Sequence, residues 1–279
     1  MKLQLHLGEK IMIKNWYITG DTHGNSDIRV NRLLSKNPDI IPEETALIIL
    51  GDSGFNYYLD KGDYKRKKHF SKRGILTYCV RGNHEERPQN IEGMELIEDE
   101  NVNGLVYIQK EFPLIRYFVD GQKYDINGYK VLVIGGAYSV DKFYRLRNQI
   151  NWFEQEQLSN LEMSNIGLDL ITDLPTTYDF VLTHTCPYSW QPRDLFLNGI
   201  DQSLVDNTME IWMDRLKDCF DWKIWMFGHY HDDRLVRPKV EMMYYDIQSL
   251  DEVYEKWFNP EKAYEIALSD KDPNYNMGV

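Results

Sequence analysis

Ile75-Leu76-Thr77-Tyr78-Cys79-Val80-Arg81-Gly82-Asn83-His84-Glu85 is the stretch that decides the fold. An apolar run of strand character stops at Arg81-Gly82, and an amide and an imidazole follow at once on a tight turn. Alone, an Asn-His pair after a strand is a polar cap on a turn. Here four further apolar runs end in the same way, at Gly20-Asp21-Thr22-His23-Gly24, Gly51-Asp52, Thr183-His184 and Gly228-His229-Tyr230-His231. Adjacent strands of one sheet would bring such loops together at its carboxyl edge, where open α/β sheets hold their ligands.

Outward from that stretch, Trp16-Tyr17-Ile18-Thr19 is a strand, and Ser26 or Asp27 caps a helix whose apolar positions are Ile28, Val30, Leu33 and Leu34. Asn37-Pro38 ends that helix. Ala46-Leu47-Ile48-Ile49-Leu50 is apolar throughout, as expected of a strand covered on both faces. The first 85 residues therefore read β-α-β-α-β, the pattern of a parallel or mixed sheet layered by helices. Residues 61–73 hold seven Lys/Arg and one Asp. They form either a solvated helix face or a lip that gathers anionic substrate.

Short strands follow over 101–134, with hairpin signals at Asn103-Gly104, Asp120-Gly121 and Asn127-Gly128. Gly135 to Asp141 is a flexible loop that either lies beside the site, with Tyr138 or Arg145 facing substrate, or covers the far sheet edge. A helical region is expected over 151–172, a strand at Tyr178–Leu182, a helix over 201–218, a strand at Ile224–Phe227, short strands over 234–247 and a helix near 250–258. There is no internal repeat or linker. One domain, 12–258, is expected, with a loose polar tail at 259–279.

Composition narrows the function. In 279 residues, 32 Lys and Arg stand against 44 Asp and Glu, a net charge of −12. That balance opposes broad, sequence-independent binding to nucleic acid or anionic membrane. No apolar stretch reaches the roughly 20 residues of a membrane span. The N-terminus is broken by Lys2, His6, Glu9 and Lys10, unlike a signal peptide. Cys79, Cys186 and Cys219 have no paired spacing, so a reducing cytoplasm is the expected location, with Cys186 close enough to His184 to approach the site. Asp21, His23, Asp52, Asn83, His184, His229 and His231 form a His–Asp–Asn set without a thiolate. It suits two divalent ions such as Mn, Fe or Zn, with Mn expected to serve in vitro.

The ordered set Asp21-Thr22-His23-Gly24, Gly51-Asp52, Gly82-Asn83-His84-Glu85, His184 and Gly228-His229-Tyr230-His231 resembles the calcineurin-like metallophosphoesterase superfamily over residues 14–248. The resemblance implies a four-layer α/β/β/α sandwich with two mixed sheets and a dinuclear metal site. Asp21, His23 and His231 would hold one ion, Asn83, His184 and His229 the other, and Asp52 would bridge them. The family's protein phosphatases follow the bridging Asp with an Asp that orients the third-motif His and an Arg that grips phosphate. Phe55 and Asn56 stand there instead.

Two ions sharing a hydroxide would hydrolyse phosphate mono- or diesters. His84, not needed as a ligand, is then free to act as general acid. A backbone carbonyl, Asp60 or Asp63 would hold its ring. Arg81, Arg145, Arg193 and Tyr138 are the candidates for substrate contact. A nuclease of the same superfamily and a non-catalytic metal-binding module are the alternatives.

Overall fold

The computed structural model describes residues 12–172 and 176–259. The expected tail beyond residue 259 lies outside them. The chain first forms β1 (Asn15–Thr19), α1 (Ser26–Lys36), β2 (Thr45–Ile49), α2 (Lys61–Phe70), β3 (Leu76–Cys79), β4 (Met94–Asp99), β5 (Gly104–Gln109) and β6 (Ile115–Phe118). There follow β7 (Lys123–Ile126), β8 (Tyr129–Ile134), α3 (Lys142–Asn148), α4 (Asn160–Thr172), β9 (Thr177–Thr183) and α5 (Thr208–Leu216). The last elements are β10 (Asp221–Phe227), β11 (Arg234–Arg237), β12 (Val240–Met242), β13 (Ile247–Ser249) and α6 (Leu250–Phe258).

Two mixed sheets result, ordered β13-β1-β2-β3-β6-β5-β4 and β11-β12-β10-β9-β8-β7. In the first, β1, β2, β3 and β6 run parallel. In the second, β12, β10, β9 and β8 do. Strand alternation explains the layering. Trp16, Ile18, Ile48, Tyr78 and Val80 meet Val131, Val133, Phe180, Leu182 and Met226 between the sheets. Their neighbours Leu47, Ile49 and Cys79 face outward beneath Val30 of α1 and Phe70 of α2. Leu132, Ile134, Val181 and Trp225 face outward beneath Met163 of α4 and Met213 of α5. Burying each Val, Leu or Ile contributes about 1.5–3 kcal/mol, which favours covering both faces of both sheets. The architecture is the expected α/β/β/α sandwich.

Several local expectations change. Asp120-Gly121 does not close a hairpin, because β6 and β7 belong to different sheets and the chain crosses between them there. Asn127-Gly128 does join an antiparallel pair, both residues at positive φ (55° and 85°). The strand β4 is not among the expected ones; it pairs with β5 across the Asn103-Gly104 turn. The helix expected from 151 begins only at Asn160. Residues 155–157 instead turn their carbonyls to two guanidinium groups: Arg87 donates to Gln155 O and Gln157 O, and Arg81 to Glu156 O. A helix would have consumed those acceptors. The helix expected over 201–218 is split likewise, into a 3₁₀ turn at Gln202–Leu204 and α5. The Asp206 carboxylate accepts the Thr208 N–H, a local bond that favours a turn over a continuing helix.

Candidate metal centre and its pocket

The motif loops meet at an edge shared by both sheets, not by one. Asp21, Asp52 and Asn83 follow β1, β2 and β3 of the first sheet, and His184 and His229 follow β9 and β10 of the second. Within each sheet these strands run parallel, so β1, β2 and β3 end together, and so do β9 and β10.

The loops turn sharply. His23, Asp52, His229 and His231 all lie in the left-handed region, with φ of 44°, 45°, 68° and 56°. For non-glycine residues such backbone costs about 1–3 kcal/mol each and recurs where function demands it. Close packing sets the glycines between them. A Cβ at Gly82 would sit 2.0 Å from Asp52 Oδ1, and one at Gly228 would sit 2.2 Å from Asp21 Oδ1. Only glycine lets these carboxylates pass.

Each carboxylate is held by one oxygen. Asp21 Oδ1 accepts the His229 N–H at 2.9 Å, and Asp52 Oδ1 accepts the His84 N–H at 2.7 Å. Their Oδ2 atoms are buried and receive no backbone donor: Asp21 Oδ2 has only the His231 imidazole, 3.2 Å away, and Asp52 Oδ2 has no partner within hydrogen-bond distance. Leaving such an oxygen bare is costly in a dry interior unless a cation faces it. The surroundings supply the other donors. Asp21, His23 and His231 offer ligand atoms within 4.8 Å of one another, and so do Asp21, Asp52 and His184. Asp52 Oδ2 stands 4.0 Å from His23 Nδ1 and 3.8 Å from His184 Nε2, between two imidazoles. Asn83 Oδ1 lies 2.8 Å from His184 Nε2 and 3.1 Å from His229 Nδ1. These residues could hold divalent metal, and the two bare oxygens fit one.

Electrostatics agrees. Burial alone would raise the Asp21 and Asp52 carboxyls, but the histidines around them outweigh it and hold both below the usual carboxylate range. Burial, with His184 beside it, pushes His229 down to about 3, into the neutral form that ligates.

His84 lies one residue beyond Asn83, and it lines a pocket of about 300 Å³ together with His23, Asp52, Asn83 and His229. Burial lowers its imidazole, Asp52 opposing and Arg145 assisting. Arg145 Nη2 lies 3.3 Å from His84 Nε2. Asp141 grips the Arg145 Nε with both oxygens at 2.8 Å, and the Tyr57 hydroxyl accepts from Nη1 at 3.2 Å. Neither Asp60 nor Asp63 holds the His84 ring. Asp60 caps α2 at the Gly62 N–H, and Asp63 takes the Leu59 N–H. Phe55 packs against Phe70 in the core.

Among the substrate candidates, Tyr138 and Arg145 line the pocket. Arg81 does not: it is buried, donating to Asp120 Oδ2 at 3.0 Å, Glu156 O at 2.7 Å and Gly135 O at 3.1 Å. These bonds tie the Gly82 turn to the second sheet. Arg193 is exposed on a 3₁₀ turn and stacks over Tyr188, with 5.5 Å to the ring centroid. Cys186 is buried in the outer core, its thiol pushed up by that burial, rather than turned to the site. From the basic segment, Arg66 does reach the site's margin: it lines a smaller pocket with His23, Asp52, His84 and Arg145, and donates to Gly54 O.

Three supporting residues carry almost no sequence signal for the roles they play. Ser139 accepts from Asn83 Nδ2 at 2.8 Å and donates to Glu156 at 2.5 Å, which aims Oδ1 of the amide at the histidines. Glu85 fastens the same turn from behind, accepting from the Gly82 N–H and Ser53 Oγ; burial, reinforced by Asp52, pushes it up to about 7. Arg29 of α1 donates to Asp21 O and Tyr244 O, joining the first motif to the segment before β13. A polar residue after the Ile134-Gly135-Gly136 strand end is the one hint available, for Ser139.

Comparison with known proteins places this geometry. Solved structures match at low identity. The phosphopantetheinyl hydrolase of Mycobacterium tuberculosis is 14% identical, with a TM-score of 0.43 over 84% of this chain and 89% of that one. A Thermus thermophilus protein is 12% identical, with a TM-score of 0.41 over 85% and 98%. A protein serine/threonine phosphatase from Saccharomyces cerevisiae is 14% identical, with a TM-score of 0.30 over 84% and 68%. No curated protein matches the sequence. The family profile described as calcineurin-like phosphoesterase matches residues 16–233, more than half of the chain. The chain therefore belongs to the calcineurin-like phosphoesterase family.

Proposed function

We propose that the protein hydrolyses phosphate mono- or diesters at a dinuclear metal centre. The observation that carries this reading is the pair of buried Oδ2 atoms of Asp21 and Asp52, faced by imidazoles alone beside an open pocket. Asp21, His23 and His231 would hold one ion and Asn83, His184 and His229 the other, with Asp52 between. When bound, the ions supply Lewis-acid stabilisation of the phosphoryl oxygens and an activated water.

The chain's own side chains do the remaining work. Arg145, fixed by Asp141 and Tyr57, presents its guanidinium edge where a phosphoryl oxygen would sit beside His84. This arginine takes the place of the phosphate grip absent at Asn56. His84 is held through its backbone N–H on Asp52, so its ring stays beside the ligands without joining them. From there an imidazole N–H delivers a proton to the departing ester oxygen. Tyr138 forms a wall of the same pocket.

The test is phosphate release by purified protein with added Mn²⁺ from monoesters, diesters, nucleotides and a phosphopeptide. Turnover that disappears with a chelator and with Asp52→Asn is expected. Absence of release from every ester, with Mn²⁺ shown to bind, would refute the reading.

A further inference from the structure

One wall of the pocket is made of a different material from the rest. From the 3₁₀ turn Arg193–Leu195 to α5, the chain presents Leu195, Phe196, Leu197, Ile200 and Val205, with the amides of Gln202 and Asn207 among them, to the same cavity that contains Asp52, Asn83 and His84. Val140 and Tyr138, from the loop before α3, also line that cavity. Apolar side chains kept half-buried in a cavity gain by meeting apolar carbon rather than water. A group that occupies this wall also reaches the ligand residues, because wall and ligands line one continuous space.

We infer that this wall is the subsite for the ester group, and that the substrate is a small phosphate ester of an apolar alcohol. The inference rests on the phosphoesterase reading above. A phosphopeptide or an extended nucleic acid would set charged groups against Phe196, Ile200 and Val205, and would lose solvation without compensation. An alkyl or aryl group fills the wall while its phosphate stays at Arg145 and His84.

The experiment compares kcat/KM for methyl, butyl and hexyl phosphate and O-phosphoserine in Mn²⁺. The three alkyl esters have similar leaving groups, so differences among them report binding of the chain. Efficiency should rise about two- to fourfold per methylene, reaching roughly 30-fold or more from methyl to hexyl, and phosphoserine should fall at the methyl end. Phe196→Ala and Ile200→Ser should each lower the hexyl-to-methyl ratio severalfold. A second arm needs no turnover: by calorimetry, hexylphosphonate should bind more tightly than methylphosphonate, with a negative heat-capacity change. A flat chain-length profile, or equal phosphonate affinities, would overturn the subsite while leaving the phosphoesterase reading intact. Release from none of the esters would overturn that reading and this inference together.

Discussion

Removing one hydroxyl, Ser139→Ala, should damage the metal centre without touching a ligand. Ser139 Oγ accepts from Asn83 Nδ2 at 2.8 Å and donates to Glu156 Oε2 at 2.5 Å, and all three residues are buried. The truncation strands an amide N–H and takes the hydroxyl from a carboxylate oxygen. A buried group left unsatisfied costs about 1–3 kcal/mol, so two such groups cost about 2–6 kcal/mol. At about 2–4 °C per kcal/mol for a domain of this size, the thermal midpoint should fall by roughly 4–24 °C. The amide is then free to rotate its Oδ1 away from His184 and His229. Loss of a group that orients a ligand weakens metal binding by about 10–100-fold. Mn²⁺ titration by calorimetry should show one of two affinities reduced and the other retained, since Ser139 supports only Asn83. Unchanged affinities in a folded variant would refute the reasoning. A lower midpoint with normal binding would make Ser139 a packing residue and nothing more.

The remaining predictions are more direct. His84→Asn should keep metal and substrate binding but lower turnover by about 10²–10⁴, least for nitrophenyl esters, whose leaving groups need little protonation; equal losses on nitrophenyl and alkyl phosphates would remove the acid role. Asp52→Asn should strip both ions, whereas Asp21→Asn should mainly weaken one, as metal analysis after dialysis will show. Glu210, buried beside Thr185, is pushed up to about 7 by burial, with Asp206 adding and the Thr185 hydroxyl opposing. The folded protein thus holds that proton more tightly than the unfolded chain, whose ordinary value is about 4.5. This stabilisation is complete below about pH 4.5 and is lost as pH rises through about 7, a fall of about 3 kcal/mol. In Glu210→Gln, urea unfolding between pH 5 and 8 should lack that fall; an identical pH slope would show that Glu210 ionises freely.

What could be read from the chain, and what could not, divides along a physical line. Apolar runs that end in Gly-Asp, Gly-Asn-His, Thr-His or Gly-His are local signals, and they marked the seven residues that the structure brings together because strand ends and tight turns are written in consecutive residues. The sharing of the site between two sheets was not legible, since Asp120-Gly121 looks the same whether a chain turns back or crosses over. Nor was the fate of Arg81: its place beside the third motif suggested substrate, whereas its partners Asp120, Gly135 and Glu156 come from 39 to 75 positions further on. The same holds for residues 151–159, whose helical pattern yields to the guanidinium groups of Arg81 and Arg87. Ser139 and Arg66 act only through neighbours that tertiary packing supplies.

The Asp21 carboxylate meets its backbone donor only when residue 229 arrives, 208 positions later. A ribosome has then made most of these 279 residues. Until that moment the Asp21 carboxylate stands at the edge of the amino-terminal sheet without its backbone donor, whereas Asp52 has already met its own at His84. Assembly is therefore expected to be long-range and late, with slow kinetics of the kind that distant pairings impose. A cation present during synthesis would favour the finished arrangement over partly built ones. The centre proposed to hold the metal would thus also act as the last checkpoint on the protein's own maturation.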